Sequence, residues 1–480
     1  MPRSKVFIGI IWASIQKFGT LAISFIANMV LARLLTPDDF GAIGMLTIFI
    51  TLSQTLVDSG FGAALIQKKT ISDSDTSTVF YINLGISVLL YILLYVVSPN
   101  IATFYKIPEL CNYLRVLSIV ILINAWGVIQ SAQLARSLNF KVISICHLIG
   151  ALIGVSIGII AAYLDFGVWS IIIRTLLTAL VTNILLWYWG KWKPKLSFSL
   201  LSFRELFSFG SYMMLSNIIL NISNNIQSLI IGKYFSQSNV GNYTQAKTLR
   251  DITSEGISSV VGQVLYPDFS RYQNDNNTIA DKLNKSMYLL SYIVFPLMLF
   301  MCVVADKLIP LIYGDQWYEA INYFRILCVG GIPLCLQRVN ASVIQAKGRS
   351  RLFFICNVVK LVVYVPLLIL GGIYGGMNVF LWVMVIYSTL AYLVFAFIAT
   401  RSINTRLIDQ IIIIFKCLVI AIAASGVITF CNIYIYTSYN VLYILIDFFL
   451  FMLSYLLISY LFRVKGLYYL ISNIKTIYKR

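Results

Sequence analysis

The amino-acid sequence predicts an all-α integral membrane protein with about fourteen transmembrane helices. Of its 480 residues, 59% are hydrophobic and only 11% are charged, and the mean hydropathy is +0.86. A soluble domain cannot bury that much apolar surface. The apolar segments are about 18 to 25 residues long, which is the length an α-helix needs to cross the hydrocarbon core of a bilayer. Strands of a transmembrane β-barrel are about ten residues long with alternating polarity, so that class is excluded.

The apolar segments follow one another along the whole chain. The first begins directly after MPRSK and has no small-residue cleavage site, so we expect a retained helix rather than a signal peptide. The predicted spans are 8–32, 40–57, 79–98, 114–134, 143–163, 168–189, 209–232, 243–266, 287–305, 321–345, 354–373, 377–399, 409–431 and 440–462.

Basic residues are concentrated in alternate connections between these spans. The rich connections contain Lys68 and Lys69, Arg136 and Lys141, the basic residues of 191–204 and 271–285, Lys347 to Arg351, and Arg401 and Arg406. The turns near Asp165, 371–376 and 432–440 contain no Lys or Arg. Because basic connections stay in the cytoplasm, this pattern predicts that both ends of the chain are cytoplasmic.

The formal net charge of +18 fits this topology better than a nucleic-acid partner, because most of the basic residues lie at predicted helix ends. The eight cysteines are scattered without a CxxC pair, so we expect neither disulfides nor a metal site. The single histidine, His147, is alone in its span, and we expect a packed or hydrogen-bonded residue rather than a proton relay.

A repeated motif divides the chain into two similar halves. LARLLTPDDFG at 31–41 recurs as IGKYFSQSNVG at 231–241, with a basic residue, a hydroxyl residue and a glycine at matching positions 200 residues apart. YLRVL at 113–117 also recurs as YFRIL at 323–327. Tandem repeats of this kind predict two parallel six-helix bundles that enclose a cavity. The predicted domains are a first bundle at 1–190, a basic cytoplasmic linker at 191–207, a second bundle at 208–400, and two extra helices with a basic tail at 401–480.

Polar stripes within two of the spans mark candidate walls of that cavity. In the first span the stripe consists of Thr20, Ser24 and Asn28, with Lys17 beside it. In the seventh span it is formed by Asn217, Asn221 and Asn224. Amides in hydrocarbon are costly without partners, so these faces are expected to contact protein or water. We interpret them as a substrate path, while hydrogen bonding between helices is the alternative interpretation.

Charged residues within the eighth span provide further candidates. Lys247 and Arg250 are substrate-path candidates, and Asp251 and Glu255 are candidates for coupling transport to an ion. Lys247 and Asp251 are four residues apart, and an ion pair between them is the structural alternative. Several of the other cations within the predicted spans lie near helix ends and can reach the interface by snorkelling. These other cations are Arg174, Arg325, Arg338, Lys360 and Lys416.

Catalytic and cofactor motifs are absent from the sequence. There is no P-loop and no HExxH motif. No connection is longer than about twenty residues, which leaves no room for a soluble catalytic domain. We therefore expect a protein that is not an enzyme and that requires no cofactor.

The first seventy residues resemble a known family. LARLLTPDDFGAIGM followed by LVDSGFGAALIQKK is similar to the opening of the Wzx-type oligosaccharide flippases, in the multidrug/oligosaccharidyl-lipid/polysaccharide exporter superfamily. The segment FSFGSYMMLSNIILNISNNIQSLIIGKYFSQSNVGNYTQAKTLRD resembles the family's seventh and eighth helices. The resemblance implies that helices 1, 2, 7 and 8 line the cavity, and that the protein moves undecaprenyl-pyrophosphate-linked repeat units across a bacterial cytoplasmic membrane for capsule, exopolysaccharide or O-antigen synthesis. Expected partners are that lipid-linked oligosaccharide, membrane lipid, and polymerase and export proteins of the same pathway.

The polar and charged residues of the predicted spans suit the transport of a lipid-linked sugar. Lys17 and Arg250 would attract the pyrophosphate, and the Asn stripe would exchange hydrogen bonds with sugar hydroxyls. Two alternatives stay open. A membrane polysaccharide polymerase would be expected to present a sizeable external loop, and a multidrug or cation antiporter would be expected to have an acidic and aromatic cavity.

Overall fold

Helices account for all the regular structure in the described part of the chain. The computed structural model describes residues 3–58, 61–62, 65, 68, 71–435, 441–464 and 466–469. Twelve of its helical segments are long and apolar enough to cross a membrane. The predicted class, an all-α integral membrane protein, is therefore confirmed. The total of fourteen spans and the cytoplasmic placement of both ends stay predictions.

The chain divides into two compact units, Met1–Gly241 and Asn242–Arg480. The first unit contains α1 (Arg3–Leu34), α2 (Pro37–Asp58), α3 (Asp73–Tyr105), α4 (Leu110–Leu117), α5 (Ile119–Arg136), α6 (Phe140–Tyr163), α7 (Val168–Trp189) and α8 (Leu200–Tyr234). Helix α9 (Gln237–Arg271) begins in the first unit and continues into the second. The second unit also contains α10 (Asn276–Tyr313), a 3₁₀ turn (Asp315–Trp317), α11 (Tyr318–Ala346), α12 (Ser350–Tyr374), α13 (Gly376–Ser402), α14 (Leu407–Ile435) and α15 (Val441–Leu461). Thus α8, which the sequence assigns to the second bundle, is counted in the first unit.

The repeated motif marks the starts of α2 and α9. The hydroxyl residue caps each helix: Asp39 N donates to Thr36 Oγ1 at 3.3 Å, and Asn239 N donates to Ser236 Oγ at 3.1 Å. A capping hydroxyl satisfies backbone N–H groups that the first turn of a helix leaves free.

The glycine of each motif permits a close helix crossing within the first unit. A Cβ atom added to Gly41 would overlap the carbonyl group of Gln237, and one added to Gly241 would overlap that of Pro37. Pro37 and Gln237 occupy equivalent positions of the two motifs, so each helix start packs on the glycine of the other. Only glycine allows backbones to approach so closely.

Aromatic side chains form much of the packing in each unit. In the first, the Trp126 and Trp187 rings stack with centroids 5.1 Å apart, and Trp187 Nε1 donates to the carbonyl oxygen of Trp126 at 2.9 Å. In the second, the Tyr292 and Tyr455 rings lie 4.9 Å apart, and Tyr455 OH donates to the carbonyl oxygen of Tyr292 at 2.9 Å. Aromatic pairs joined by a hydrogen bond stabilise helix packing where lipid offers no hydrophobic driving force.

Candidate substrate cavity

The first unit contains a cavity of about 720 Å³ whose wall has both polar and apolar residues. Five helices line it: α1, α2, α5, α6 and α7. The polar and ionisable side chains in its wall are Ser24, Gln54, Asp58, Asn124, Ser131, His147, Arg174, Thr175, Thr178, Thr182 and Asn183. A cavity of this size is typical of a small-molecule site and can hold several polar groups of a ligand.

A row of glycines on one face of α6 positions one wall of the cavity. Three glycines stand four residues apart, and each faces a residue of α7. The facing pairs are Gly150 with Thr182, Gly154 with Thr178, and Gly158 with Arg174. A Cβ atom on Gly154 would lie 2.7 Å from Thr178 N and 2.9 Å from the carbonyl oxygen of Arg174. The two helix backbones therefore approach as closely as in a GxxxG contact, which places this face of α7 at a defined position in the wall.

An amide pair forms a second part of the wall. Asn183 Nδ2 donates to the carbonyl oxygen of Ala179 at 2.8 Å and is 3.5 Å from Asn124 Oδ1. Gly127 leaves room for this side chain, because a Cβ atom there would overlap the Asn183 amide. The cavity thus presents hydrogen-bonding groups from α5 and α7 side by side.

Three ionisable groups share the cavity. Arg174 and His147 are half-buried, and Asp58 is exposed at the last residue of α2. Among the ion pairs formed by described residues, none includes Arg174. An uncompensated guanidinium within a transmembrane segment is expensive, so such a group is a functional candidate. The arrangement is suited to an anionic group attached to a polyhydroxyl ligand, because a guanidinium binds phosphate well and amides bind hydroxyls.

The predicted stripe on α1 contributes one residue to this cavity. Ser24 lies in its wall. Thr20 Oγ1 donates to the carbonyl oxygen of Gln16 at 2.7 Å, Lys17 is exposed, and Asn28 is half-buried. The structure therefore brings Ser24 together with Arg174 and leaves Lys17 and Thr20 outside the cavity wall.

The predicted stripe on α8 packs against α2. Asn221 Nδ2 donates to Thr55 Oγ1 at 2.5 Å, while Asn217 and Asn224 are exposed. Thr55 Oγ1 in turn donates to the carbonyl oxygen of Thr51 at 2.8 Å. Asn221 thus joins two helices, which is the alternative interpretation that the sequence left open.

In the second unit, Arg250 and Asp251 form the ion pair that the sequence suggested for Lys247 and Asp251. Arg250 Nε donates to Asp251 Oδ1 at 2.7 Å, and a second guanidinium nitrogen contacts the same oxygen. Adjacent residues can pair because the Arg250 side chain turns towards the carboxylate. Arg250 is only 7% exposed, and Lys247 is half-buried. The Glu255 side chain lies outside the described residues.

Arg174, Asn124 and Asn183 line this cavity but were not among the predicted site residues, and His147 was expected to be packed or hydrogen-bonded. A signal for them existed in the sequence. Glycines at 150, 154 and 158 mark one helix face, and Arg174, Thr178 and Thr182 have the same spacing on the next helix. Close packing of these two faces would place a cation and two hydroxyls in one wall.

Comparisons with solved structures identify the fold. The chain superposes on lipid II flippase MurJ in an inward closed conformation with a TM-score of 0.77 and 16% sequence identity, covering 94% of this chain and 98% of that one. It superposes on an inward-facing multidrug resistance MATE family transporter with a TM-score of 0.65 and 16% identity, covering 82% and 98%. The chain therefore has the fold of multi-pass helical membrane transporters.

Sequence comparisons identify the family. Residues 30–322 match the family model described as polysaccharide biosynthesis protein, and the chain belongs to that family. It is 29% identical over 428 residues to the teichuronic acid biosynthesis protein TuaB of Bacillus subtilis, covering 89% of this chain and 88% of TuaB. It is 26% identical over 398 residues to the lipopolysaccharide biosynthesis protein WzxC of Escherichia coli, covering 82% and 81%. The resemblance noted in the sequence is thereby confirmed.

Proposed function

We propose that the protein is a flippase that moves undecaprenyl-pyrophosphate-linked oligosaccharide repeat units from the inner to the outer leaflet of a bacterial cytoplasmic membrane by alternating access. Its family is that of polysaccharide biosynthesis proteins. The fold of lipid II flippase MurJ supports the same kind of task. A lipid-linked sugar requires a polar path for its headgroup while its hydrocarbon tail stays in lipid. The products would be precursors of capsule, exopolysaccharide or O-antigen.

The observation that carries this proposal is the Arg174 guanidinium in the cavity of the first unit. Among the described residues it forms no ion pair, so its charge is available to a ligand. Pyrophosphate is the anionic group of the proposed substrate, and a guanidinium can bind two of its oxygens at once. Binding then compensates a charge that is otherwise costly within a membrane-spanning helix.

The neutral polar groups of the cavity would bind the sugar. Asn124 and Asn183 present amide donors and acceptors, and Gln54 and Ser24 lie in the same cavity wall. Such groups exchange hydrogen bonds with hydroxyls at little net cost, which suits a ligand that must leave again. His147 would add a donor or an acceptor according to its tautomer.

The site residues predicted from the sequence have secondary roles in this proposal. Lys17 remains a proposed contact for the headgroup on the exposed face of α1. The internal ion pair of Arg250 with Asp251 makes Arg250 a weaker anion site than Arg174. Asp251 and Glu255 remain proposed coupling residues.

We further propose that the protein is not an enzyme and requires no cofactor, since flipping forms and breaks no covalent bond. The proposed partners are the lipid-linked oligosaccharide, membrane lipid, and polymerase and export proteins of the same pathway. The driving force would be an ion gradient, the membrane potential or consumption of the product outside.

A leaflet-accessibility assay in cells that lack the protein tests this proposal. Mass spectrometry would quantify lipid-linked oligosaccharides before and after treatment of intact cells with an impermeant sugar-oxidising reagent. Complete repeat units should accumulate in a protected pool, and the wild-type protein should expose them. An unchanged lipid pool in the depleted cells would contradict the proposal.

Variants of Arg174 in the same leaflet-accessibility assay test the role of its guanidinium. Arg174→Ala should reduce outward exposure by at least about tenfold, a loss of about 1.4 kcal/mol. Arg174→Lys should retain part of the activity, since it keeps the charge but loses the bidentate geometry. Lys191→Ala, which removes an exposed cation outside the cavity, is the matched control. Immunoblots of membranes check that each variant inserts. Full activity of Arg174→Ala would overturn the assigned role.

A further inference from the structure

A second cavity, of about 720 Å³, lies in the second unit. It is lined by α10, α11, α13 and α14, near the end of α10 and the start of α11. Asp306 and Lys307 follow directly after the apolar stretch 287–305, at the depth where a hydrocarbon core gives way to headgroups. Under the predicted topology, this end of the unit is external. We call this cavity the outer crevice.

The charges of the outer crevice are internally compensated. Asp306 and Arg325 form an ion pair, and Arg325 Nε also donates to the carbonyl oxygen of Cys302 at 3.2 Å. Lys307 Nζ lies 2.8 Å from Asp447 Oδ2, and the Asp447 side chain is fully buried. An anionic ligand would have to displace a carboxylate from either cation. A polar ligand without net charge meets no such cost.

Two asparagines are further polar groups of the crevice wall. Asn322 Nδ2 donates to Asn378 Oδ1 at 2.8 Å, and both residues lie in the crevice wall with Asp306 and Arg325. Amide, carboxylate and guanidinium groups offer paired donors and acceptors in one plane. Vicinal hydroxyls of a sugar ring present the complementary pairs.

An aromatic side chain completes the wall beside the lipid. Trp382 lines the crevice and is 46% exposed. It shares a face of α13 with Val379 and Ile386, which are exposed apolar residues. An indole at this position offers an apolar surface to a ligand and a ring N–H to its polar groups. The crevice therefore combines polar and apolar wall residues and is bordered by residues suited to contact lipid.

We propose that the outer crevice binds the glycan of a lipid-linked saccharide in the outer leaflet, with sugar faces on Trp382 and hydroxyls on the Asn322–Asn378 and Asp306–Arg325 pairs. This inference rests on the proposed function, which delivers such a molecule to that leaflet. The volume fits the range of about 300 to 1,000 Å³ typical of ligand sites. An interfacial tryptophan that only anchors a helix would not require a concave wall of paired amides and charges around it.

Glycan binding to the purified full-length protein tests this inference. The probe is a lipid-free oligosaccharide, released by mild acid from the lipid-linked oligosaccharides of the cells that make this protein. The protein is held in phosphatidylcholine nanodiscs. Trp382→Ala should weaken binding by about tenfold, and Trp382→Phe should retain most of it. Phe397→Ala is the matched control, since Phe397 is a 51% exposed aromatic residue on the same helix outside the crevice. Thermal unfolding checks that each variant is folded.

Equal affinity of the wild-type protein and Trp382→Ala would overturn the inference. So would competition by phosphatidylethanolamine or phosphatidylglycerol added to the nanodiscs, because the occupant would then be a phospholipid headgroup. Transport is measured separately in vesicles. If the protein binds the glycan through Trp382 but does not transport the lipid, the proposed function alone is refuted. If it transports the lipid but does not bind the glycan through Trp382, the glycan site in the outer crevice alone is refuted.

Discussion

Replacing Gly154 by alanine should push α6 away from α7 and weaken the fold of the first unit. The new Cβ atom would lie 2.7 Å from Thr178 N, and ordinary contact begins at 3.4 Å, so the backbones must separate by about 0.7 Å. The nearest atom, Thr178 Oγ1, belongs to a side chain that can rotate away, but Thr178 N and the Arg174 carbonyl oxygen are backbone atoms, so side-chain rotation does not remove the whole overlap. Overpacking of this kind costs about 1–3 kcal/mol.

Unfolding by SDS in mixed micelles measures this cost. Gly85→Ala is the control, because a Cβ atom on Gly85 of α3 meets nothing within 4 Å. The control should be neutral or stabilised by up to about 1 kcal/mol through helix propensity. The separation should also shift Arg174, so exposure of lipid-linked oligosaccharide should fall in Gly154→Ala cells. If Gly154→Ala is as stable as the control, the close α6–α7 packing is refuted.

The other predictions concern single contacts. Arg250→Ala should destabilise the second unit by about 3 kcal/mol in SDS unfolding, because it leaves the Asp251 charge without its partner. The double variant Arg250→Ala/Asp251→Ala should lose less free energy of unfolding than the two single variants lose together. Additive losses would show that the two residues do not interact. Asn221→Leu should cost about 0.6–1.7 kcal/mol in the same assay, since it removes one hydrogen bond between helices and leaves the Thr55 hydroxyl bonded to its own helix. An unchanged stability would exclude the Asn221–Thr55 bond.

The helical membrane class was predictable because apolar length and composition depend only on the sequence. The hydroxyl and glycine of the repeated motif were also visible there. The capping roles of Thr36 and Ser236 follow from local rules once the helix starts are known. What a spacing could not show is that each glycine packs on the other motif.

The cavity residues were harder to predict, because a polar stripe shows which side chains share a face but not what that face contacts. Asn221 is used for packing, whereas Arg174, which the sequence marked only as one of several cations within the spans, lines a cavity. The pairing of Arg250 with Asp251 was missed because helical spacing favours partners four residues apart, and a long arginine side chain is not restricted to that spacing. Side-chain direction and helix packing decide these cases, and both are properties of the tertiary structure.

Transport by the purified protein tests the central claim most directly. The protein is reconstituted into phosphatidylcholine vesicles with the lipid-linked oligosaccharide pool of the producing cells, and a membrane-impermeant sugar-oxidising reagent reports how fast the saccharide moves between leaflets. The wild-type protein should speed this movement well above that of protein-free vesicles, and Arg174→Ala should return it nearly to that background. If the wild-type protein leaves the rate at background while it is folded, the protein is not a flippase for this lipid.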